Sequence, residues 1–242
     1  MRQPDSILPL RAEALGFSAG GVAILHNVSL SFAAGAPAFI IGPNGAGKSV
    51  LLRLLHGLLA PTAGRIVWGS RPGPAAQPPL HAMVFQHPVM LRRSALANMT
   101  YPLRQAGIAR RDRDRLALAA LQRVGLAALA DRPARHLSIG EQQRLAIARA
   151  AILSPEVLFL DEPCASLDPS ATVAIEALVQ AIAAAGTKIV MTTHDLGQAR
   201  RLAGEVVFLH RGHVLEHSTA NAFFTTPTTP HAAAFLRGEL VW

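Results

Sequence analysis

The sequence predicts a layered α/β fold with an antiparallel flank and an inserted helical lobe. Three observations carry this expectation. Short, mostly apolar runs at 38–41, 157–160 and 188–191 alternate with stretches of helical period, as strands buried on both faces do between covering helices. The first of these runs leads directly into the glycine-rich Gly42-Pro43-Asn44-Gly45-Ala46-Gly47-Lys48-Ser49, a strand-to-helix junction. The 242 residues suffice for a full hydrophobic core and approach the size at which a single core stops growing.

In chain order, strands are expected around 14–17, 24–32 and 38–41, then a helix starting near Lys48 with an amphipathic run over 50–59. Pro61, Gly64 and the alternation Arg65-Ile66-Val67-Trp68 mark a turn and a strand of the antiparallel flank. The polar connection 69–79 is too rich in proline for a regular element, and 81–85 restores a strand. A mainly helical stretch follows, with a short segment around 94–103 and a helix over 112–124, where Leu116, Ala120 and Val124 recur at helical spacing. Helix 141–153, strand 157–160, helix 172–185, strand 188–191 and helix 196–202 restore the alternation. Runs 205–209 and 213–215 around Arg211-Gly212 read as a hairpin. The whole chain, 1–242, then forms one unit, with 88–150 as the inserted helical lobe.

The glycine-rich junction has a specific chemistry. Glycines at this spacing let successive backbone N–H groups curl inward around phosphate oxygens, and the following helix aims its unsatisfied N–H groups and positive dipole end at the same point. In such a loop Lys48 reaches the β- and γ-phosphates and the Ser49 hydroxyl ligates Mg²⁺. Asp161-Glu162 closes another apolar strand, where a carboxylate is costly unless its charge is opposed. Asp161 can hold Mg²⁺ directly or through water, and Glu162 can polarise a water in line with the γ-phosphate. The plainer alternative is that one of the pair caps the turn at Pro163.

Composition narrows the remaining classes. The formal charge of +8, from 23 Lys and Arg against 15 Asp and Glu, permits attraction to nucleic acid or an anionic membrane surface. Yet Arg92-Arg93 is short and Arg110-Arg111-Asp112-Arg113-Asp114-Arg115 alternates with acids, so a solvated helix face accounts for most of it and no nucleic-acid partner is expected. The single Cys164 excludes a disulfide framework and a Cys-rich zinc site. The other histidines, including His210, His213 and His217, lack metal-ligand spacing. The N-terminal Met1-Arg2-Gln3-Pro4-Asp5-Ser6 lacks the pattern of a secretory signal, and no apolar run reaches the roughly 18 residues of a membrane span. A cytoplasmic protein is expected.

Leu137-Ser138-Ile139-Gly140-Glu141-Gln142-Gln143-Arg144 resembles the signature motif of ATP-binding cassette (ABC) ATPases and precedes the Asp161-Glu162 strand as it does in that family. The resemblance covers nearly the whole chain. It implies the nucleoside triphosphate hydrolase fold of that family, ATP and Mg²⁺ as ligands, and phosphate contacts from the whole loop Gly42, Pro43, Asn44, Gly45, Ala46, Gly47, Lys48, Ser49 and Val50. It places Phe17 where an aromatic stacks on adenine, Gln86 where a glutamine contacts Mg²⁺ and the attacking water, Ala165-Ser166-Leu167-Asp168 as the D-loop, and His194 as the switch histidine. Ser138 and Gly140 would meet the γ-phosphate held by a second copy, so the resemblance implies a head-to-tail homodimer. Ile139 stands where glycine is usual, and Val50 where a small hydroxyl residue is usual.

Local structure offers simpler readings of several of these positions. Ser138 with Glu141 is a capping box, Asp168-Pro169 is a good helix start, and Asp195 is a natural N-cap. Phe17 can be core cover and Gln86 an ordinary strand end. The resemblance further implies the peripheral subunit of an importer at the cytoplasmic face of the inner membrane, acting with separate permease subunits and an extracytoplasmic binding protein. The permease would dock beside Gln86 near Arg92, Arg93, Asn98 and Tyr101. The run from Gly42 to Leu58 looks like the cassettes of tungstate-type oxyanion importers. Phosphate or polar amino-acid import, and less closely a non-transport ABC ATPase or an inactive cassette, are the alternatives.

Overall fold

The computed structural model describes residues 6–69, 71–72 and 80–239. Most of the expected connection 69–79, and the first five residues, lie outside these. The chain begins with strands β1 (Leu10–Ala19), β2 (Val22–Phe32) and β3 (Ala38–Ile41), then helix α1 (Lys48–His56). Strands β4 (Ala63–Trp68), β5 (Arg71–Pro72) and β6 (His81–Val84) follow. Between β6 and β7 (Val157–Asp161) the regular elements are helices only: α2 (Ala95–Gln105), α3 (Arg110–Arg123), two single 3-10 turns and α4 (Ile139–Ala151). The rest is α5 (Pro169–Ala184), β8 (Lys188–Thr193), α6 (Leu196–Leu202), β9 (Glu205–His210), β10 (His213–Thr219), α7 (Ala220–Thr225) and α8 (Pro230–Leu236).

Two sheets result. One has four strands in the order β2-β1-β4-β5, its pairs antiparallel. The other has six in the order β10-β9-β3-β8-β7-β6, parallel from β9 to β6 with β10 antiparallel at its edge. The short apolar runs are its central strands, and their two-residue period divides them between two cores. Phe39, Ile41, Leu158, Leu160, Ile189, Met191, Val206 and Phe208 face the helices. Ala38, Ile40, Val157, Phe159, Val190, Val207 and Leu209 face α1 and the antiparallel sheet. Leu51, Leu52, Leu54 and Leu55 of α1 are fully buried in the second core with Leu10, Leu15 and Phe32 from the antiparallel strands. Each such side chain contributes about 1.5–3 kcal/mol by leaving water, which clamps α1 between the sheets.

Some expected boundaries shift. β1 and β2 are longer than the sequence suggests because Gly20 and Gly21, both at positive φ, close them into one hairpin. Within the proline-rich connection, Arg71–Pro72 pairs with β4, so that segment is not wholly irregular. α1 stops at His56, where Gly57 takes the left-handed conformation, short of the expected 59. α7 and α8 after the last hairpin were not anticipated. They are short, each capped by a threonine at 219 or 229, and α8 begins with Pro230 at its first turn.

Candidate functional site

β3, β8 and β7 are neighbours, and their parallel register aligns Ile41 with Thr193 and Asp161 with Thr192. Everything that follows these strands therefore meets at one edge of the sheet. From β3 comes the loop 42–47, from β7 Asp161 and Glu162, and from β8 Thr192, Thr193 and His194. Crevices at the carboxyl edge of a parallel sheet are where such folds place ligands.

The loop needs its glycines for different reasons. A Cβ on Gly42 would lie 2.0 Å from Leu209 O, and one on Gly47, at φ 101°, would lie 2.9 Å from Leu25 Cδ2. The Ala46 N–H bonds Pro43 O at 3.2 Å, while those of Gly45, Gly47, Lys48 and Ser49 make no hydrogen bond within the loop. Gly47 caps α1 without a side-chain bond, so the first-turn donors of α1 stay open toward the loop's hollow. Gly212 N bonds Ala46 O at 3.0 Å and Gly212 O accepts from His26 N at 2.9 Å, tying the loop to β2 and the β9–β10 hairpin.

Lys48 is 6% exposed, and its ammonium donates to Gly42 O at 2.9 Å and Pro43 O at 3.1 Å. It stands 3.8 Å from Glu162 Oε1. Burial pushes the Lys48 pKa below its ordinary value, against the opposing pull of Glu162 and Asp161. Asp161 is 2% exposed; its Oδ1 accepts from Ser49 Oγ and Thr192 Oγ1, each at 2.8 Å, and its Oδ2 lies 3.8 Å from Arg53. Glu162 has φ 44°, a left-handed backbone uncommon for a residue with a side chain, and its N–H donates to Thr192 Oγ1 at 3.0 Å. Its carboxylate reaches His194 Nδ1 at 2.9 Å. A glycine cradle with free N–H donors, a buried ammonium and a Ser–Asp oxygen pair fit a nucleotide triphosphate with a hard divalent cation.

A family model described as ABC transporter matches residues 25–165, a span holding the loop, Asp161 and Glu162. The chain belongs to the ABC transporter family. It is 37% identical over 239 residues to a phosphate import ATP-binding protein of Natronomonas pharaonis, covering 92% of this chain and 84% of that one. It is 36% identical over 208 residues to a tungstate uptake system ATP-binding protein of Peptoclostridium acidaminophilum, covering 86% and 95%. The structure of cbiO1 from Clostridium perfringens, part of the ABC transporter complex cbiONQ, superposes with a TM-score of 0.81 at 28% identity over 92% of each chain. The protein is thus an ABC ATPase that binds ATP. Among its described residues no helix is long and apolar enough to cross a membrane.

Other anticipated positions of this ABC ATPase are placed variously. No hydrogen bond or ion pair joins Ser138 or Gly140 to the Lys48 side chain, whose partners are Gly42, Pro43 and Glu162. Ser138 forms the expected capping box: its Oγ accepts from Glu141 N at 3.3 Å and its N–H donates to Glu141 Oε2 at 2.7 Å. A Cβ on Gly140 would lie 2.9 Å from Ala171 Cβ, so close packing of α4 on α5 requires glycine there. Both border an open concavity of about 690 Å³ shared with Ser166, Leu167 and Asp168 of the D-loop. Asp168 caps α5, accepting from Ala171 N at 2.9 Å.

Four further positions have surroundings of their own. Gln86 lies two residues beyond β6, exposed, and makes no hydrogen bond to Ser49 or Asp161, because the chain has already left the sheet edge at Val84. The Val50 side chain packs against the α1 core, leaving only its backbone toward the loop. Phe17 pairs with Leu25 and packs half-buried against the same core, beside the side chain that a Cβ on Gly47 would strike. Asn98 is fully buried and offers no docking surface. It bonds Leu91 N at 3.1 Å, Ser94 O at 3.0 Å and Arg149 Nη1 at 2.8 Å, holding the start of α2 to α4. The sequence alone assigns no role to Thr192 or Arg53; Thr192 follows the apolar run 188–191 as a plain hydroxyl residue, two positions before His194.

Proposed function

We propose that this ABC ATPase powers import of a small solute as a head-to-tail homodimer, docked on separate permease subunits at the cytoplasmic face of the inner membrane. A binding protein outside that membrane would deliver the solute. The observation that carries the catalytic part is Glu162, held at positive φ between Lys48 and His194 at the sheet edge. Lys48 and the loop from Gly42 to Val50 hold the phosphates, Ser49 and Asp161 hold Mg²⁺, and Phe17 stacks on adenine. When bound, Mg²⁺ neutralises charge on the phosphate oxygens. Glu162 accepts a proton from the attacking water, and His194 orients Glu162 and donates toward the γ-phosphate. Gln86 joins the metal only if its loop moves toward Asp161. Ser138 and Gly140 close the site of the second copy from across the dimer, through the open concavity beside the D-loop.

The chain works as a single nucleotide-binding domain with residues 88–150 as its helical subdomain. The permease docks in the groove of about 310 Å³ lined by Phe85, Val89, Tyr101 and Pro102, with Arg92 and Arg93, both exposed, extending the docking surface. For the solute, the preferred reading is tungstate or a related oxyanion, supported by the tungstate relative and the Lys48-Ser49-Val50 sequence. The phosphate relative gives phosphate equal support, and polar amino acids are the remaining alternative. The catalytic reading is tested by Glu162→Gln, which should bind ATP, lose turnover and accumulate as a closed dimer on gel filtration; turnover near wild type rejects it. The solute is decided by calorimetry of the partner binding protein with tungstate, molybdate, phosphate and amino acids. Tight amino-acid binding with no tungstate response rejects the oxyanion and leaves the ATPase intact.

A further inference from the structure

Beside the docking groove lies a second concavity, about 240 Å³, formed by the loop before α2, the outer face of α2 and the first turns of α3. Arg93, Arg104, Arg110 and Arg113 line it, with the Thr100 and Tyr101 side chains and a single carboxylate, Asp114. None of the four arginines forms an ion pair among the described residues; the pairs in this stretch join Arg111 and Arg115 to Asp112 instead. Four like charges around one hollow repel, and a bound anion would relieve that repulsion.

The groups are also partly pre-positioned. Arg113 Nε donates to Ile108 O at 2.7 Å, which fixes the guanidinium and leaves its Nη groups without a partner among the described residues. The Arg104 guanidinium sits 5.7 Å from the Tyr101 ring centroid, a contact that holds its planar fork in place. α3 starts at the same hollow, and its N-cap, Ala109, supplies no side-chain bond, so the helix adds open N–H donors and its positive end. Guanidinium forks match the paired oxygens of a tetrahedral anion. Apart from the Tyr101 ring already covered by Arg104, the lining offers no apolar floor for an acidic helix.

We propose that this pocket binds a phosphate-type anion, carried by an acidic phospholipid headgroup or free as a phosphate ester. Tyr101 also lines the groove assigned to the permease, so the lipid source rests on that assignment while anion binding itself does not. The test uses the full chain with ADP present throughout, so that the loop 42–49 is filled. Flotation with phosphatidylglycerol or phosphatidylcholine vesicles reads the lipid source, and calorimetry with inorganic phosphate and glycerol phosphate reads the free one. The Arg104→Gln/Arg113→Gln variant should weaken binding of one source at least about tenfold, as loss of two charge-assisted contacts implies. Its ADP affinity should be unchanged and its fold retained, with only the small drop in melting temperature that loss of the Ile108 bond and the Tyr101 contact implies. Arg111→Gln/Arg115→Gln, with the same change in net charge outside the pocket, should retain binding. Three results overturn the proposal: neither source binds, both variants lose binding equally, or polyglutamate binds with the Arg104/Arg113 dependence while the phosphate probes do not. None of these readouts involves turnover or transport, so the importer assignment can fail without deciding this one.

Discussion

His194 Nδ1 lies 2.9 Å from Glu162 Oε2, although 32 residues separate them in sequence. β7 and β8 end side by side, so the first residue beyond each strand can meet the other, and the left-handed backbone at Glu162 turns its carboxylate along the sheet edge toward the histidine. Lys48 approaches the same carboxylate at 3.8 Å from the other side.

His194→Ala should therefore reduce steady-state ATP hydrolysis by about 10²- to 10⁴-fold, the usual worth of a positioned proton-handling group, with ATP binding preserved. Phosphate release and nucleotide binding, measured separately, check this. Comparable loss of binding would make His194 a phosphate anchor instead.

Thr192 Oγ1 donates to Asp161 Oδ1 and accepts from the Glu162 backbone N–H, so it ties the Asp161 carboxylate to the backbone that carries Glu162. Thr192→Val keeps the shape and removes one hydrogen bond from the Asp161 carboxylate, which keeps Ser49 Oγ, and one from the Glu162 N–H, which keeps Thr192 O, costing about 1–3 kcal/mol in thermal or urea unfolding and lowering turnover. Thr192→Ser should restore most of both. If Val and Ser behave alike, the hydroxyl has no such role.

Two glycines of one loop should respond differently to the same methyl group. Gly42→Ala drives a Cβ to 2.0 Å from Leu209 O and should abolish ATP binding or folding. Gly45, at φ 79°, has nothing within 4 Å of its Cβ position, so Gly45→Ala carries only backbone strain, on the order of 1 kcal/mol. Thermal melts and ATP titrations of the pair give the comparison.

His56 and His81 pack ring to edge at 4.6 Å, with Trp68 stacked on His81 at 4.5 Å, and their buried Nδ1 atoms have no hydrogen-bond partner among the described residues. Burial first, and the neighbouring His81 second, push the His56 pKa down to about 4; burial also lowers that of His81. The folded state thus keeps His56 neutral where the unfolded chain, titrating near about 6.5, takes up a proton. Stability should fall as pH drops from about 6.5 to about 4 and level off below that range. Urea unfolding across this range checks the slope, and His56→Leu should flatten it.

Ser138→Ala removes the cap on α4 and should cost about 0.5–2 kcal/mol in unfolding. Under the head-to-tail assignment it should also lower turnover at the site built on the other copy's Lys48. A mixed dimer losing activity only at the same chain's Lys48 would overturn that assignment.

Much of this site was legible in the sequence because its parts are local. The loop 42–49 carries its glycines, lysine and serine in eight successive positions, Asp161-Glu162 ends an apolar run, and Ser138 with Glu141 is one helical turn. Each can be read from neighbours a few residues away. Thr192 and Arg53 were not legible, because their roles depend on which strands adjoin and on which helix face meets Asp161. Asn98 was misplaced for the same reason: a polar residue on a helix reads as exposed until α4 and the loop before α2 close over it. α7 and α8 escaped notice because each is too short to display a helical period.

The sequence by itself determined the alternation of buried strands and helices, the phosphate loop, the acidic pair and the family to which they belong. Tertiary structure alone decided that Thr192 joins the Asp161 carboxylate to the Glu162 backbone, that Gln86 makes no hydrogen bond to Ser49 or Asp161, and that Arg93, Arg104, Arg110 and Arg113 share one hollow. Local motifs are set by backbone geometry over a few residues. Convergence of distant side chains is set by strand order and helix packing, which minimise exposed apolar area over the whole chain and leave no mark at any one position.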